Sequence, residues 1–420
     1  MVDGLMTTTT MVDNQEVKDV QAAVLRFVGW LDGYGETSHD HQSFFASDLG
    51  RGAKALYYKK PLLGKLAVAP MIFSEAFVPS ARQFFWKPQR FPIADAHYAM
   101  GFAFLSQVLG ERQYYRRAVH FLEVLKETRS PGYDHYCWGY PFHWETRGGT
   151  MHAGTPLITT APYVYEAFME VYRIDRDRRW LDIMRSIAEH AFHDYDDVTT
   201  SKDASSCSYK PKDIKSCGVI NASAYRAFLL TRAAADFSQE EYQKVANRNL
   251  AFVIESQNAD GSWYYSTDGE RNFVDHFHTC FVLKALAKIE ALTGNQDCTR
   301  AIERGVDYYV GNLFDEEGLP KPFSRRPRLT VYRRELYDYA ECINVAVLLK
   351  GRFPALDNIL SRVIDLRGWR KPDGSFRSRQ LLLGWDNTPM HRWAQSQLFR
   401  SLCFLLYRSA GAPTSFNQQN

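Results

Sequence analysis

The stretch Val219-Ile-Asn-Ala-Ser-Ala-Tyr-Arg-Ala-Phe-Leu-Leu-Thr-Arg-Ala-Ala-Ala235 decides the fold. Apolar residues fall on more than one face of the helix it predicts, and Ala222, Ala224, Ala233, Ala234 and Ala235 let neighbours approach closely. A helix apolar on several faces is one that packs between others. Just beyond it, Ser238 and Glu241 have the spacing of a capping box. The residues that follow are apolar on one stripe only: Tyr242, Val245, Ala246, Leu250 and Val253. The pair reads as a hairpin of an inner, buried helix and an outer, amphipathic one.

The same unit recurs six times. Gly- and aromatic-rich loops run into apolar helices that begin near Asp95, Thr160, Asn221, Asp275, Asp338 and Thr388. The period is roughly 50–65 residues, and a fixed period marks a repeat architecture. Phe281 to Leu292 and Ile343 to Leu349 fit inner helices. In the second hairpin Trp180, Ile183, Met184, Ile187, Ala188 and Ala191 share one outer-helix face, with Asp182, Arg185 and Glu189 turned away. Gly110 and Gly294 fall where a left-handed helix end favours glycine.

The sixth inner helix, around Arg392 to Tyr407, has no outer partner after it. Near the other end, Val17, Val20, Val24, Phe27, Val28 and Leu31 form an outer-type stripe with no inner helix before it. Pairing the two closes a ring, whereas an open solenoid would need polar capping repeats at both ends. The expected fold is therefore all-α: an (α/α)6 toroid of six hairpins, one domain over 14–410, closed by its first and last helices. Residues 38–90 stand outside the repeat, with short apolar runs broken at Pro61, Pro70, Pro79 and Pro88. They are expected as irregular helices over one mouth of the ring, a lid or a plug. Residues 1–13 and 411–420 read as flexible tails.

Composition narrows the class. A net charge of +3 is too small to argue for nucleic acid or an anionic membrane as partner. Seven cysteines without zinc-ribbon or CxxC spacing do not form a disulfide framework. The N-terminus lacks the charged-then-apolar pattern of a secretion signal, and no apolar run is long enough to span a bilayer. A reduced, cytoplasmic protein is expected, with no cofactor, no metal and no Gly-rich phosphate loop. Aromatic content of 14% is high and concentrated in the loops, which suits stacking on sugar rings as well as capping helices.

Two resemblances follow from particular residues. Arg248, Leu250, Phe252, Val253, Ile254, Gln257, Gly261 and Trp263 resemble the QW motif of terpenoid cyclases and protein prenyltransferases, and Asp373-Gly374-Ser375-Phe376 is a weaker copy. In those families the motif ties an outer helix to the loop after it, so it implies the toroid and not a chemistry. Phe91 to His97, Cys137 to Trp144, Thr155 to Pro162 and His391 to Gln395 resemble α/α-toroid proteins encoded in bacterial surface-polysaccharide clusters, a likeness spanning about 14–410. That resemblance implies a role with a glycan or activated sugar, beside polysaccharide-assembly proteins.

Histidines and carboxylates at the starts of inner helices are the sharpest residue-level signal. If the inner helices run parallel around the axis, their N-termini share one mouth. His97, His143, Asp275, His276, Asp338 and His391 are then expected to converge there as acid–base groups. Asp275 also suits a helix cap. Asp338 and Glu341, three apart, can share a face, and paired carboxylates would suit glycoside cleavage. Trp138, Tyr140, Trp144, Glu145, His278, Tyr337 and Arg392 are the candidate substrate-binding residues. The bland reading of each histidine is a cap or a bond to a neighbouring carbonyl. The loop Arg325, Arg326, Arg328, Arg333 and Arg334 suits an anionic group or a solvated surface. Cys217, Cys280, Cys342 and His278 lack the close spacing of a zinc site.

The function expected is an epimerase, lyase or hydrolase of surface-polysaccharide biosynthesis. A non-catalytic glycan-binding or assembly factor is one alternative, and a terpenoid cyclase or prenyltransferase-like enzyme is another. Asp194-Tyr195-Asp196-Asp197 matches a cyclase protonation motif by letter, but it follows an outer helix and reads as a chance acidic loop.

Overall fold

The computed structural model describes residues 14–327 and 330–411. The expected tails, Gly411 apart, and Arg328 of the basic loop lie outside the described residues. Helices are α1 (Asn14–Tyr34), α2 (Ser43–Ala46), α3 (Asp48–Lys59), α4 (Pro61–Phe77), α5 (Pro92–Leu109), α6 (Arg112–Glu127), α7 (Ala161–Asp175) and α8 (Arg179–His193). They continue with α9 (Ile220–Phe237), α10 (Glu240–Glu255), α11 (His276–Thr293), α12 (Gln296–Asn312), α13 (Leu336–Leu348), α14 (Pro354–Val363) and α15 (Ser396–Ser409). Inner helices α5, α7, α9, α11, α13 and α15 each touch the next, and α15 touches both α5 and α1. The ring is a closed (α/α)6 toroid whose sixth outer helix is α1. Short antiparallel hairpins, such as Trp144–Thr146 with Gly149–Met151, decorate the loops entering inner helices.

The resemblance-bearing loops lock one outer helix to the next. Trp263 donates its indole N–H to the Val253 carbonyl at 3.0 Å, and Gln257 donates to Ala301 of α12, also at 3.0 Å. Gly261 has φ +90°, and a Cβ there would sit 2.2 Å from the Arg304 carbonyl oxygen of α12. The copy at Gly374 repeats this with φ +94° and a Cβ position 2.5 Å from the Arg26 carbonyl oxygen of α1. Six repeats thus end by treating α1 as the next outer helix in line.

Gly110 and Gly294 terminate α5 and α11 in the left-handed conformation, as expected. The capping box does not form. Ser238 itself takes the left-handed ending of α9, φ 54°, so its hydroxyl is turned from the start of α10 and Gln239 becomes the flanking residue. Pro70 is also not a break: it lies inside α4 on an exposed face, where water can satisfy the carbonyl its missing N–H leaves unpaired.

Lumen positions share one register. Ile93, Thr159, Asn221, Phe277, Tyr337 and Trp393 form a first layer at the N-terminal mouth, and residues 4, 7 and 11 further along each helix form three more. Of these twenty-four positions, twenty-two line one of two cavities, and the other two, His97 and Glu341, are fully buried between them. Segment 38–90 crosses the N-terminal mouth. It is pinned by Arg82 to Asp386 at 2.6 Å, both fully buried, and by Asp40 to Arg392.

Candidate functional site

The first two layers enclose a cavity of about 180 Å³ at the N-terminal mouth. Its wall is built from Tyr163, Tyr225, Phe281 and Gln397 below and from Tyr140, Trp144, Tyr209, Tyr265 and Gln42 at the rim. Tyrosine hydroxyls give this aromatic wall a polar grain: Tyr163 and Tyr225 meet oxygen to oxygen at 2.6 Å, and Tyr209 lies 3.4 Å from the Thr159 hydroxyl. Burial raises all three above the ordinary phenol range, so they stay protonated as donors.

One imidazole faces this space. Asp275 caps α11 by accepting the His278 backbone N–H at 2.9 Å, and its other oxygen takes the His278 Nδ1 at 2.6 Å. The turn of helix that makes the cap therefore also orients the ring. Tyr265 packs edge-to-face on it at 4.7 Å, and Phe277 lies tilted against it at 4.4 Å. Nδ1 is engaged, so Nε2 is left for the cavity. A carboxylate-held imidazole of this kind can accept or donate a proton with its tautomer set.

Arg392 lines the same cavity and is gripped through Nε by Asp40 at 2.9 Å, with Nη2 on the second oxygen. Burial opposes its charge, but Asp40 and Tyr140 together outweigh burial and hold it protonated. Its guanidinium lies 4.6 Å from the Tyr140 ring centre and 4.9 Å from that of Trp393. Tyr337, on the neighbouring helix α13, packs against Trp393 at 4.8 Å.

Five of the candidates therefore share the cavity: Tyr140, Trp144, His278, Tyr337 and Arg392. The six residues expected to converge as acid–base groups do not line it, and each departure has a local cause. His276 turns to the outer helix, bonded to the Tyr309 hydroxyl at 2.7 Å and the Leu313 carbonyl at 3.2 Å, and burial lowers its pKa to about 3. His391 closes the ring, with Tyr98 on Nδ1 at 2.6 Å and the Gly35 carbonyl on Nε2 at 3.0 Å; burial lowers it to about 4. His143 is exposed and accepts the Ala153 N–H at 3.2 Å. Asp275 touches His278 without lining the cavity itself.

Asp338 is fully buried, and neither carboxyl oxygen has a hydrogen-bond partner among the described residues. Burial, then Glu335 and Asp275, push its pKa well up, so it is a neutral acid in the wall. His97 lies under the cavity floor against Tyr163, ring centres 4.6 Å apart, kept neutral by burial and by Arg400, Lys284 and Lys288. Trp138 is a second loop lock, its indole donating to the Leu125 carbonyl at 2.8 Å. Glu145 accepts the Thr150 hydroxyl at 2.8 Å within its hairpin. Asp338 and Glu341 do not form a cavity pair, and no Asp or Glu lines this space. Asp194 and Asp197 are taken by His190 and Arg226. Among the described residues no group of three or more His, Cys, Asp or Glu could hold a metal ion.

Sequence reading missed Tyr163, Asn221, Tyr225 and Gln397. Their signal was present: aligning the six inner helices on their first lumen residue places all four in the first two layers.

No family model matches the chain, and no curated protein matches it. Solved structures do. An unsaturated glucuronyl hydrolase specific for heparin superposes with TM-score 0.63 at 12% identity, over 95% of this chain and 97% of that one. Cellobiose 2-epimerase from Bacillus thermoamylovorans gives 0.57 at 11% identity, over 76% and 87%. An alpha-1,6-mannanase of Salegentibacter sp. gives 0.53 at 12%, over 77% and 90%. At these identities the likeness establishes the α/α-toroid fold, which hosts more than one reaction.

Proposed function

We propose that this protein is a carbohydrate-active enzyme of surface-polysaccharide biosynthesis that moves a proton on a glycan or activated sugar through His278. The observation that carries the reading is the Asp275–His278 pair facing an aromatic cavity. Asp275 is a positioning residue; His278 Nε2 takes the proton. The tyrosine hydroxyls and Arg392 bind the sugar's oxygens, and the aromatic faces stack on its ring. The cavity is smaller than the roughly 300–1,000 Å³ that encloses a drug-sized ligand, a size suited to one sugar residue. No carboxylate pair lines it, whereas glycoside hydrolysis ordinarily needs two. Proton removal from a carbon beside a carbonyl or carboxylate fits better, as in an epimerase or a lyase. Solved structures of the same fold include an epimerase and glycan hydrolases, which supports a carbohydrate substrate. The polysaccharide context rests on the sequence resemblance, each of whose four stretches supplies at least one cavity residue. A cytoplasmic location and contact with polysaccharide-assembly proteins belong to the same proposal.

The test begins with thermal shift against nucleotide-sugars and lipid-linked glycans, since a ligand of the native state raises its apparent stability. With a hit in hand, H278Q is expected to lower turnover by roughly 10²- to 10⁴-fold with little change in KM. D275N should lower it less and shift the pH profile. Equal turnover in wild type and H278Q would sink the mechanism. The aromatic lining also suits a glycan-binding factor, and ligand binding without turnover in either protein would select that reading.

A further inference from the structure

The third and fourth lumen layers enclose a second cavity, of about 300 Å³, at the opposite mouth. Its chemistry is different. Six cations line it, Arg173, Arg232, Lys284, Lys288, Arg400 and Arg408, against two anions, Glu166 and Glu170. Glu170 takes Arg173 at 2.7 Å, and Glu166 takes Lys288. Glu341, just beneath, is in ion-pair contact with Lys284, and Asp236 with Arg232. Two guanidiniums make no close ion pair among the described residues. Arg408 is exposed at the rim. Arg400 is only 6% exposed, lies 4.0 Å from Glu341, whose other oxygen meets Lys284, and among the described residues has no hydrogen-bond partner for Nε or Nη2. Beside it the Nδ2 of Asn344, 2% exposed, is also unpartnered.

Cations at this end have an ordinary structural use, because the C-termini of the inner helices carry partial negative charge. Arg173 and Arg408 sit in last turns and serve that. Arg400 and Lys284 lie more than two turns further in, too deep to act on a helix end. A buried guanidinium and a buried amide without partners cost stability unless something meets them. Met100, Phe104, Phe228, Leu348 and Phe404 make the rest of the lining largely apolar.

We propose that this cavity is a binding site for an organic anion, its carboxylate or phosphate held by Arg400 and Asn344 and its apolar body lying against the three phenylalanines. The fork of a guanidinium matches the two oxygens of such a group. Lys284, whose pKa burial lowers to about 8, adds a second donor nearby. It also donates to the Tyr163 hydroxyl at 3.0 Å, so an anion here would touch the wall of the first cavity through one residue.

Calorimetric titration of the full chain with phenyl phosphate, benzoate and inorganic phosphate tests this. Phenyl phosphate or benzoate is expected to bind tighter than inorganic phosphate, and the better of the two names the charged group. R400Q is expected to weaken it by about 10- to 100-fold, the range for a charge-assisted hydrogen bond. R400K keeps the charge without the fork and should lose several-fold, which covers the case in which R400Q fails to fold. H278Q should bind all three probes like wild type, whatever becomes of turnover. No binding of any probe, or equal affinity in wild type and R400K, would overturn the site. So would loss of binding in R408Q alone, which would mark a surface anion only.

A separate observation concerns α4. Leu62, Leu66 and Phe73 are 80%, 73% and 61% exposed and, with Phe77, form one stripe along the helix. Lys59, Lys60 and Lys65 flank it, all exposed, while Glu75, the acidic residue of this helix, is paired with Arg379 at 2.7 Å. An apolar stripe bordered by lysines fits an interface of anionic lipid, and we infer that α4 lies in such a surface. Wild type is expected to sediment with phosphatidylglycerol vesicles and not with phosphatidylcholine, and L62S/L66S/F73S to lose at least tenfold in affinity. Absence of vesicle binding, or self-association abolished by the same substitutions, would overturn the inference.

Discussion

The two mouths of the ring are made by the same six helices in the same register, yet they carry opposite chemistry. At the N-terminal mouth the lumen is hydroxyl and aromatic, with one oriented imidazole at its edge. At the C-terminal mouth it is charged, with cations in excess. Between them His97, Tyr163, Glu341, Lys284 and Arg400 form a buried floor. Chemistry in this fold is thus assigned by layer and not by helix: one turn along α11 separates the neutral wall at Phe281 from the charged wall at Lys284. A toroid can keep two sites apart with a partition one side chain thick.

The largest expected effect comes from breaking that partition. E341A removes the carboxylate that pairs with Lys284 and stands 4.0 Å from Arg400, and removing one partner of a buried pair costs about 3–5 kcal/mol. Urea unfolding should show that loss, whereas an unchanged midpoint would mean that the floor is hydrated and the cavities are continuous.

The next effect sharpens the contrast between histidines locked among the helices and the one that faces the cavity. His276 and His391 are held neutral by burial down to about 3 and about 4, against about 6.5 in an unfolded chain. Above pH 6.5 neither state binds the proton and nothing changes. Below it the unfolded chain takes the proton and the folded one does not, so stability falls as pH drops through this window. At pH 5 each histidine should account for about 2 kcal/mol of the loss. H276Q removes one share, so its stability relative to wild type should improve by about that amount between pH 7 and pH 5. No change in that difference would mean His276 is not held as its two hydrogen bonds indicate.

The smallest effect lies at the rim. Trp144 lines the first cavity under the Lys54 ammonium, 5.2 Å from its ring centre. W144L should weaken sugar binding by about 0.5–1 kcal/mol and leave anion binding at the far mouth untouched. A loss at both mouths would show that they are not independent.

Helical periodicity made the ring legible before any coordinates: which helices are inner, that Gly110 and Gly294 end them, and that the Val17 to Leu31 stripe belongs beside the last helix. Side-chain direction was not legible. A repeat period locates a helix start only to within several residues, as Asp95 against Pro92 and Thr388 against Ser396 show, and each residue turns the side chain by about 100°. His276 and His278 differ by two positions, and that difference sends one to Tyr309 and the other to the cavity. The failed capping box at Ser238 has a similar origin. Its spacing was right, but the backbone needed a left-handed residue at that point and no glycine was there to supply it.

Closure by α1 has a consequence for how the protein is made. The apolar stripe of α1, with Val20, Val24, Phe27 and Leu31 buried in the finished ring, leaves the ribosome before any inner helix. Its partner α15 emerges more than 350 residues later. At about 5–20 residues per second that stripe waits, unpartnered, for roughly 20–70 s. The outer helix synthesised ahead of all six inner ones is therefore satisfied only when the last of them has followed it.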